Sequence, residues 1–204
     1  MLVVLLLPLL AAVAQVPSSP EAPGPLLGTG VYRLVQVGSI QQELKLTPRQ
    51  LAELEAVPAL VRSETYVAAQ GQSSGERAKL LLAAMDRRAW DLLTPDQQQR
   101  WQQIERQITV RNQGLAAVLH RPPVRAALAL TPDQEAQVRA ALAAQQQTVR
   151  QLFQQRDPNV RGRLDAVREE QDRKLAALFT PAQQQRWQQL IGTPFHAPDL
   201  PVRP

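Results

Sequence analysis

Apolar residues recur at helical spacing through most of the chain between residues 31 and 192. Successive members of a stripe are three, four, seven or eight positions apart, which places them on one face of an α-helix. The stripe that follows Thr94 comprises Trp101, Ile104, Ile108 and Leu115. The stripe that precedes Thr180 comprises Leu164, Val167, Leu175 and Leu178. The pattern therefore predicts amphipathic helices that each bury one face.

A four-residue motif, Thr-Pro-x-Gln, marks the start of several of these helices. At such a start the Thr hydroxyl accepts from the N–H of the third helical residue, and the Gln at that position reaches back to the Thr N–H, which is the capping box. Pro suits the first helical position because its missing N–H would have no partner there. The predicted caps are Thr47 with Gln50, Thr94 with Gln97, Thr131 with Gln134, and Thr180 with Gln183. We interpret these residues as structural.

Internal repetition accounts for the pairing of the motifs. Residues 94–104 read TPDQQQRWQQI and residues 180–190 read TPAQQQRWQQL, an offset of 86 positions. Residues 40–54 align with residues 124–138 at an offset of 84 positions. Near-equal offsets indicate that one unit was duplicated. Asp86-Arg87-Arg88 and Asp172-Arg173-Lys174 extend the same alignment.

Three segments rich in turn-forming residues interrupt the helical pattern. Residues 71–75 and 157–159 lie at the same relative place in the two copies, so each copy is expected to fold back as a helical hairpin. Residues 114–123 contain Pro122-Pro123 and link the copies. Pro58 lies inside the first long helix and is expected to bend or interrupt it.

Composition agrees with an all-α fold of two tandem helical-hairpin units. Ala, Leu, Gln, Arg and Glu dominate, while aromatic residues make up only 4% of the chain. At the N-terminus, an apolar run ends in Ala12-Val13-Ala14, which is typical of a cleavable signal peptide cut after Ala14. The expected organisation is a signal peptide over 1–14, a Pro/Gly-rich linker over 15–30, a first unit over 31–115, a second unit over 116–192 and a tail over 193–204. The tail is expected to begin with an ordered hook at Phe195. We expect a periplasmic or secreted protein without stable membrane insertion after cleavage.

Charge and reactive residues exclude several classes of function. The net charge is +5, but the 23 basic residues are interleaved with 18 acidic ones, so we expect no nucleic-acid partner. The chain contains no cysteine, and its two histidines, His120 and His196, lie far apart without metal-ligand spacing. No nucleophile motif or phosphate-binding loop occurs. We therefore expect no enzyme, no cofactor and no metal.

The motif, its pairing and its spacing resemble the LTxxQ-motif family of periplasmic helical proteins, of the Spy and CpxP type. The resemblance covers residues 38–192, with Phe179 in place of the Leu before the fourth motif. It implies an antiparallel cradle whose basic, partly apolar face holds unfolded clients without ATP, with a link to the envelope stress response. The tandem copies suggest a pseudo-dimer within one chain, with a homodimer as the alternative.

The resemblance makes unfolded or partner proteins the expected ligands of an exported ATP-independent chaperone or stress-linked binding protein. Two alternatives stay open: a periplasmic signalling regulator that docks on a sensor protein, and a structural helical, coiled-coil spacer without a client. The residues proposed to contact a client are Arg87, Arg88, Trp101, Arg173, Lys174 and Trp187. For both tryptophans, packing in the core is the favoured interpretation, and an exposed client contact is the alternative.

Overall fold

The computed structural model describes residues 30–66, 70–154 and 159–196, and in these ranges every regular element is an α-helix. This confirms the all-α prediction. The helices are α1 (Val31–Leu34), α2 (Gly38–Glu43), α3 (Pro48–Thr65), α4 (Ser74–Asp91), α5 (Pro95–Gln113), α6 (Leu115–Leu119), α7 (Pro122–Leu128), α8 (Pro132–Gln154), α9 (Val160–Ala177) and α10 (Pro181–Ile191). The predicted signal peptide and nearly all of the predicted linker lie outside the described residues.

Two pairs of long helices pack along each other, α3 with α4 and α8 with α9. Both pairs are antiparallel, because the first turn of one helix lies beside the end of the other. The side-chain amide of Gln50, in the first turn of α3, donates to the carbonyl of Leu92 just after α4 at 2.8 Å. Gln134 and Leu178 make the same contact between α8 and α9. We call the α3–α4 pair arm 1 and the α8–α9 pair arm 2.

Each arm is rooted in its own apolar core. The first core is formed by the helices from α1 through α5, and its most deeply buried large side chains are Ile40, Leu54 and Ile104. The second core joins α6 to α10 around residues such as Leu119 and Leu128. Away from these cores an arm is only two helices thick, so one seam between the helices holds it together.

Helix α5 connects the two cores. It runs on to Gln113 and packs against both α6 and α10. A buried polar group strengthens this joint: Arg121 donates to Glu105 at 2.8 Å and to the Thr109 hydroxyl at 3.2 Å. The Thr109 hydroxyl also donates to Glu105 at 2.8 Å. Because Glu105 and Thr109 are buried and Arg121 is partly buried, these hydrogen bonds fix the start of α7 against α5.

Pro58 does not interrupt the first long helix, because α3 continues unbroken from Pro48 to Thr65. Val57 and Val61, on either side of the proline, are almost fully buried. We attribute the continuity of α3 to this packing, which offsets the hydrogen bond that Pro58 cannot donate.

Among the described helices, none combines the length and the apolarity needed to cross a bilayer.

Candidate functional site

The four predicted capping boxes are formed, and they meet in pairs. In the first unit the Gln50 amide nitrogen donates to the Gln97 side-chain oxygen at 2.7 Å, and Gln97 donates back at 3.2 Å. Each side-chain oxygen also accepts from its own N-cap N–H, of Thr47 and Thr94 respectively. The remaining N–H of Gln97 reaches the carbonyl of Leu44 at 3.1 Å. Both amides therefore use their two donors and both of their acceptor positions.

The second unit repeats this arrangement. Gln134 and Gln183 donate to each other at 2.9 Å in both directions. Gln183 also donates to the carbonyl of Ala129 at 3.3 Å, in the place that Leu44 takes in the first unit. In each unit the paired amides thus join the starts of two helices to backbone carbonyls at the ends of the helices that precede them. The sequence predicts the caps but not this pairing. The signal for the pairing is that all four motifs have Gln at the third helical position, although a capping box accepts Glu there as well.

Two equivalent carboxylates hold the short helices α1 and α6. Asp86 accepts from the Tyr32 N–H at 3.0 Å, and Asp172 accepts from the Leu115 N–H at 2.7 Å. A Cβ on Gly114 would lie 3.0 Å from Asp172 and closer still to Arg168, so this position requires glycine. Burial raises the pKa of both carboxyl groups, although the backbone donors and nearby arginines oppose this effect.

Trp101 is a core residue and not the exposed client contact proposed from the sequence. Its side chain is 3% exposed and meets Trp90 edge-to-face, with ring centroids 5.6 Å apart. Trp101 lies on the face of α5 that also carries Ile104, so the helical stripe points it into the first core. Trp187 is partly buried against the second core, where it packs near Phe179. Both rings therefore contribute mainly to packing.

The four proposed cations are exposed but differ in their partners. Arg173 and Lys174 both form ion pairs with Glu170, at 2.6 and 3.4 Å. Arg87 and Arg88 are exposed on α4, just before the buried residue Ala89. The structure therefore leaves the two copies electrostatically unequal, because the cations of the second copy are paired to an acid on their own helix.

Arm 1 carries exposed apolar side chains that the sequence analysis did not select. Among the large apolar side chains that the structure describes, the exposed ones all belong to this arm. They are Leu60 (42% exposed), Tyr66 (68%), Leu80 (39%) and Leu82 (41%). We call these four residues the arm-1 patch. Leu80 and Leu82 are two positions apart and therefore lie on different sides of α4, and all four side chains are exposed because two helices alone cannot cover the whole apolar surface of the arm.

The corresponding positions of arm 2 are small or basic. With the offset of 84 before the hairpin turn and 86 after it, the counterparts of the arm-1 patch are Ala144, Arg150, Ala166 and Arg168. The two copies have thus kept their caps and cores and diverged on their arms. The sequence signal for the patch is the difference between the two copies at these four positions.

Cations border the patch along one face of α4. Arg77, Leu80, Ala84 and Arg87 follow each other at spacings of three, four and three residues, which aligns them on one side of the helix. Arg77 and Arg87 are both exposed. The counterpart of Ala84 in arm 2 is Glu170, the residue that pairs with Arg173 and Lys174. Arm 1 therefore presents Leu80 between two cations on this face of α4, whereas arm 2 has an acid at the position of Ala84.

Among the described residues no group of three His, Asp or Glu side chains is placed to hold a metal ion. His120 and His196 are both exposed. Compared with family models, curated proteins and solved structures, the chain has no match.

Proposed function

We propose that the protein is an exported, ATP-independent chaperone or stress-linked binding protein that holds unfolded or partner chains on arm 1. The observation that carries this proposal is the arm-1 patch, in which Leu60, Tyr66, Leu80 and Leu82 remain exposed, whereas the other large apolar side chains that the structure describes are at least partly buried. Exposed apolar groups that act together mark protein-binding surfaces, and the proposal assigns that role to these four.

The face of α4 that carries Leu80 favours contact with an acidic group of the client. Arg77 and Arg87 bracket Leu80 on one face of α4, and Arg62 and Lys79 are exposed on the same arm. Such cations speed the encounter with an acidic chain and the apolar side chains slow its release. No cofactor or nucleotide is needed, because binding and release depend only on this surface.

The proposal predicts that the patch suppresses aggregation of an unfolding client. The test compares the wild-type chain with a variant carrying Leu60→Ala, Leu80→Ala and Leu82→Ala, using light scattering from an acidic aggregating protein at near-equal molar ratio. Alanine is the best helix former, and these side chains lie outside the cores, so the variant is expected to stay folded. We expect the variant to lose most of the suppression.

A reciprocal variant supplies the matched control. Ala144→Leu and Ala166→Leu place the first copy's residues on the exposed face of arm 2. This variant should suppress aggregation at least as well as wild type. Suppression that is absent in the wild type, or unchanged when the three leucines are replaced, would contradict the proposal. A spacer without a client predicts no suppression, and a sensor-docking regulator predicts capture of one envelope protein instead of general suppression.

We also propose that the two units act as a pseudo-dimer, so that one chain supplies what two subunits supply in the family it resembles. The buried contact of Arg121 with Glu105 and Thr109, together with the packing of α10 on α5, supports a fixed relation between the units. A mass measurement in solution tests this, and a tight symmetric dimer of full-length chains would count against it.

A further inference from the structure

The chain beyond α10 returns to the first unit and lies against α5. Gly192, with φ of 67°, ends α10 and turns the backbone, and the next residues run along α5. The Gln107 side chain donates to the carbonyl of Thr193 at 2.8 Å and accepts from the N–H of Phe195 at 2.7 Å. Arg100 donates to the same Thr193 carbonyl at 3.0 Å. The ring of Phe195 packs on the first core.

These groups contact the backbone of an extended segment and only one of its side chains. A side-chain amide offers one donor face and one acceptor face, which is what a peptide group offers to a neighbouring extended chain. Thr193, Pro194 and His196 are exposed, so Phe195 alone contributes side-chain packing. A segment of different sequence with an aromatic residue at the same place would satisfy the same groups.

We propose that Gln107, Arg100 and the apolar contact under Phe195 form a binding site for extended peptide segments that carry one aromatic side chain. In this chain residues 193–195 occupy the site as an intramolecular competitor. We call it the tail site. The inference deepens the proposed function and rests on it for the identity of the ligand as an unfolded chain. The tail site lies on α5, whereas the arm-1 patch lies on α3 and α4, so clients with aromatic residues gain a second point of attachment.

Further contacts join α5 to α10. The Gln107 amide nitrogen also donates to the carbonyl of Ile191, the last residue of α10, at 2.7 Å. Gln103 donates to the carbonyl of Gln189 at 3.2 Å and Arg106 donates to that of Leu190 at 3.1 Å. These are carbonyls of the last turn of α10, which have no partner within the helix. Gln103 provides a control for Gln107, because it is the same residue type one turn away and donates to the helix and not to the tail. Its side-chain oxygen accepts from Arg100 at 3.1 Å.

The test uses a fluorescein-labelled peptide with the sequence of residues 193–198, Thr-Pro-Phe-His-Ala-Pro, and full-length protein. Phe195→Ala removes the anchor of the internal competitor. Because a competitor reduces apparent affinity by the fraction of sites it fills, we expect the peptide to bind this variant at least about tenfold more tightly than wild type. Adding Gln107→Ala should abolish that binding, whereas adding Gln103→Ala should leave it. A peptide with Ala in place of Phe should not bind, and an unrelated extended peptide with one Phe should compete.

A second measurement needs no variant. Amide hydrogen exchange in residues 193–196 of the wild-type chain should accelerate in the presence of excess peptide, because the peptide displaces the tail from Gln107. The proposal is overturned if the peptide fails to bind the Phe195→Ala chain, if Gln107→Ala leaves binding intact, or if exchange is unchanged by saturating peptide. The chain with Leu60, Leu80 and Leu82 replaced should still bind the peptide, which separates failure of the tail site from failure of arm 1.

Discussion

Replacing one capping glutamine by glutamate distinguishes a simple capping box from the paired arrangement. Gln50→Glu keeps an oxygen for the Thr47 N–H, so a capping box alone tolerates it. It removes the two N–H donors that reach Leu92 and Gln97 at 2.8 and 2.7 Å. It also places a negative charge beside both of those oxygens.

The expected cost follows from the two lost donors. Each net hydrogen bond is worth about 1 kcal/mol, and leaving a partly buried acceptor unpaired adds about 1 kcal/mol or more. A carboxylate in the first turn of a helix returns about 0.5 kcal/mol through the helix dipole. We therefore expect Gln50→Glu to lower the free energy of unfolding by about 2–3 kcal/mol at neutral pH.

Urea unfolding followed by circular dichroism measures this loss, with Glu76→Gln as the matched control. Glu76 forms an exposed capping box with Ser73, and among the described residues no side-chain amide pairs with it across the hairpin. The control should change stability much less than Gln50→Glu does. Lowering the pH toward 4 should shrink the deficit of Gln50→Glu, since the protonated carboxyl regains one donor. A deficit no larger than that of the control, or one independent of pH, would refute the reasoning.

Two further predictions concern ionisable groups. Because burial raises the pKa of Asp86 and Asp172, the folded chain takes up these protons at higher pH than the unfolded chain does. The contribution of the two carboxyl groups to the free energy of unfolding should therefore be greatest below the ordinary Asp pKa of 3.8 and be lost as the pH rises through the raised pKa. Unfolding measured from pH 7 to pH 3 should show this pH dependence when the wild-type chain is compared with the double variant Asp86→Asn, Asp172→Asn. Arg121→Met should lower the free energy of unfolding by about 2–4 kcal/mol, because it leaves the buried Glu105 without its cation. Combining Arg121→Met with Glu105→Gln should recover part of that loss in the same urea titration.

The sequence by itself determined where four of the helices begin and which stretches of the chain repeat. Both are local properties: a capping box such as Thr94 with Gln97 is complete within four residues, and a repeat is visible wherever two stretches align. The stripe containing Ile104 likewise follows from helical spacing alone. The stripe also carries Trp101, which the structure places in the core with it.

Only the tertiary structure decided which of these groups meet across the chain. The pairing of Gln50 with Gln97 joins residues 47 positions apart, and the contact of Gln107 with Phe195 spans 88 positions. Neither is encoded in helical periodicity, because each depends on how whole helices pack. The exposure of Leu60, Leu80 and Leu82 has the same origin: the sequence marks them as apolar, but only the two-helix thickness of arm 1 leaves them uncovered.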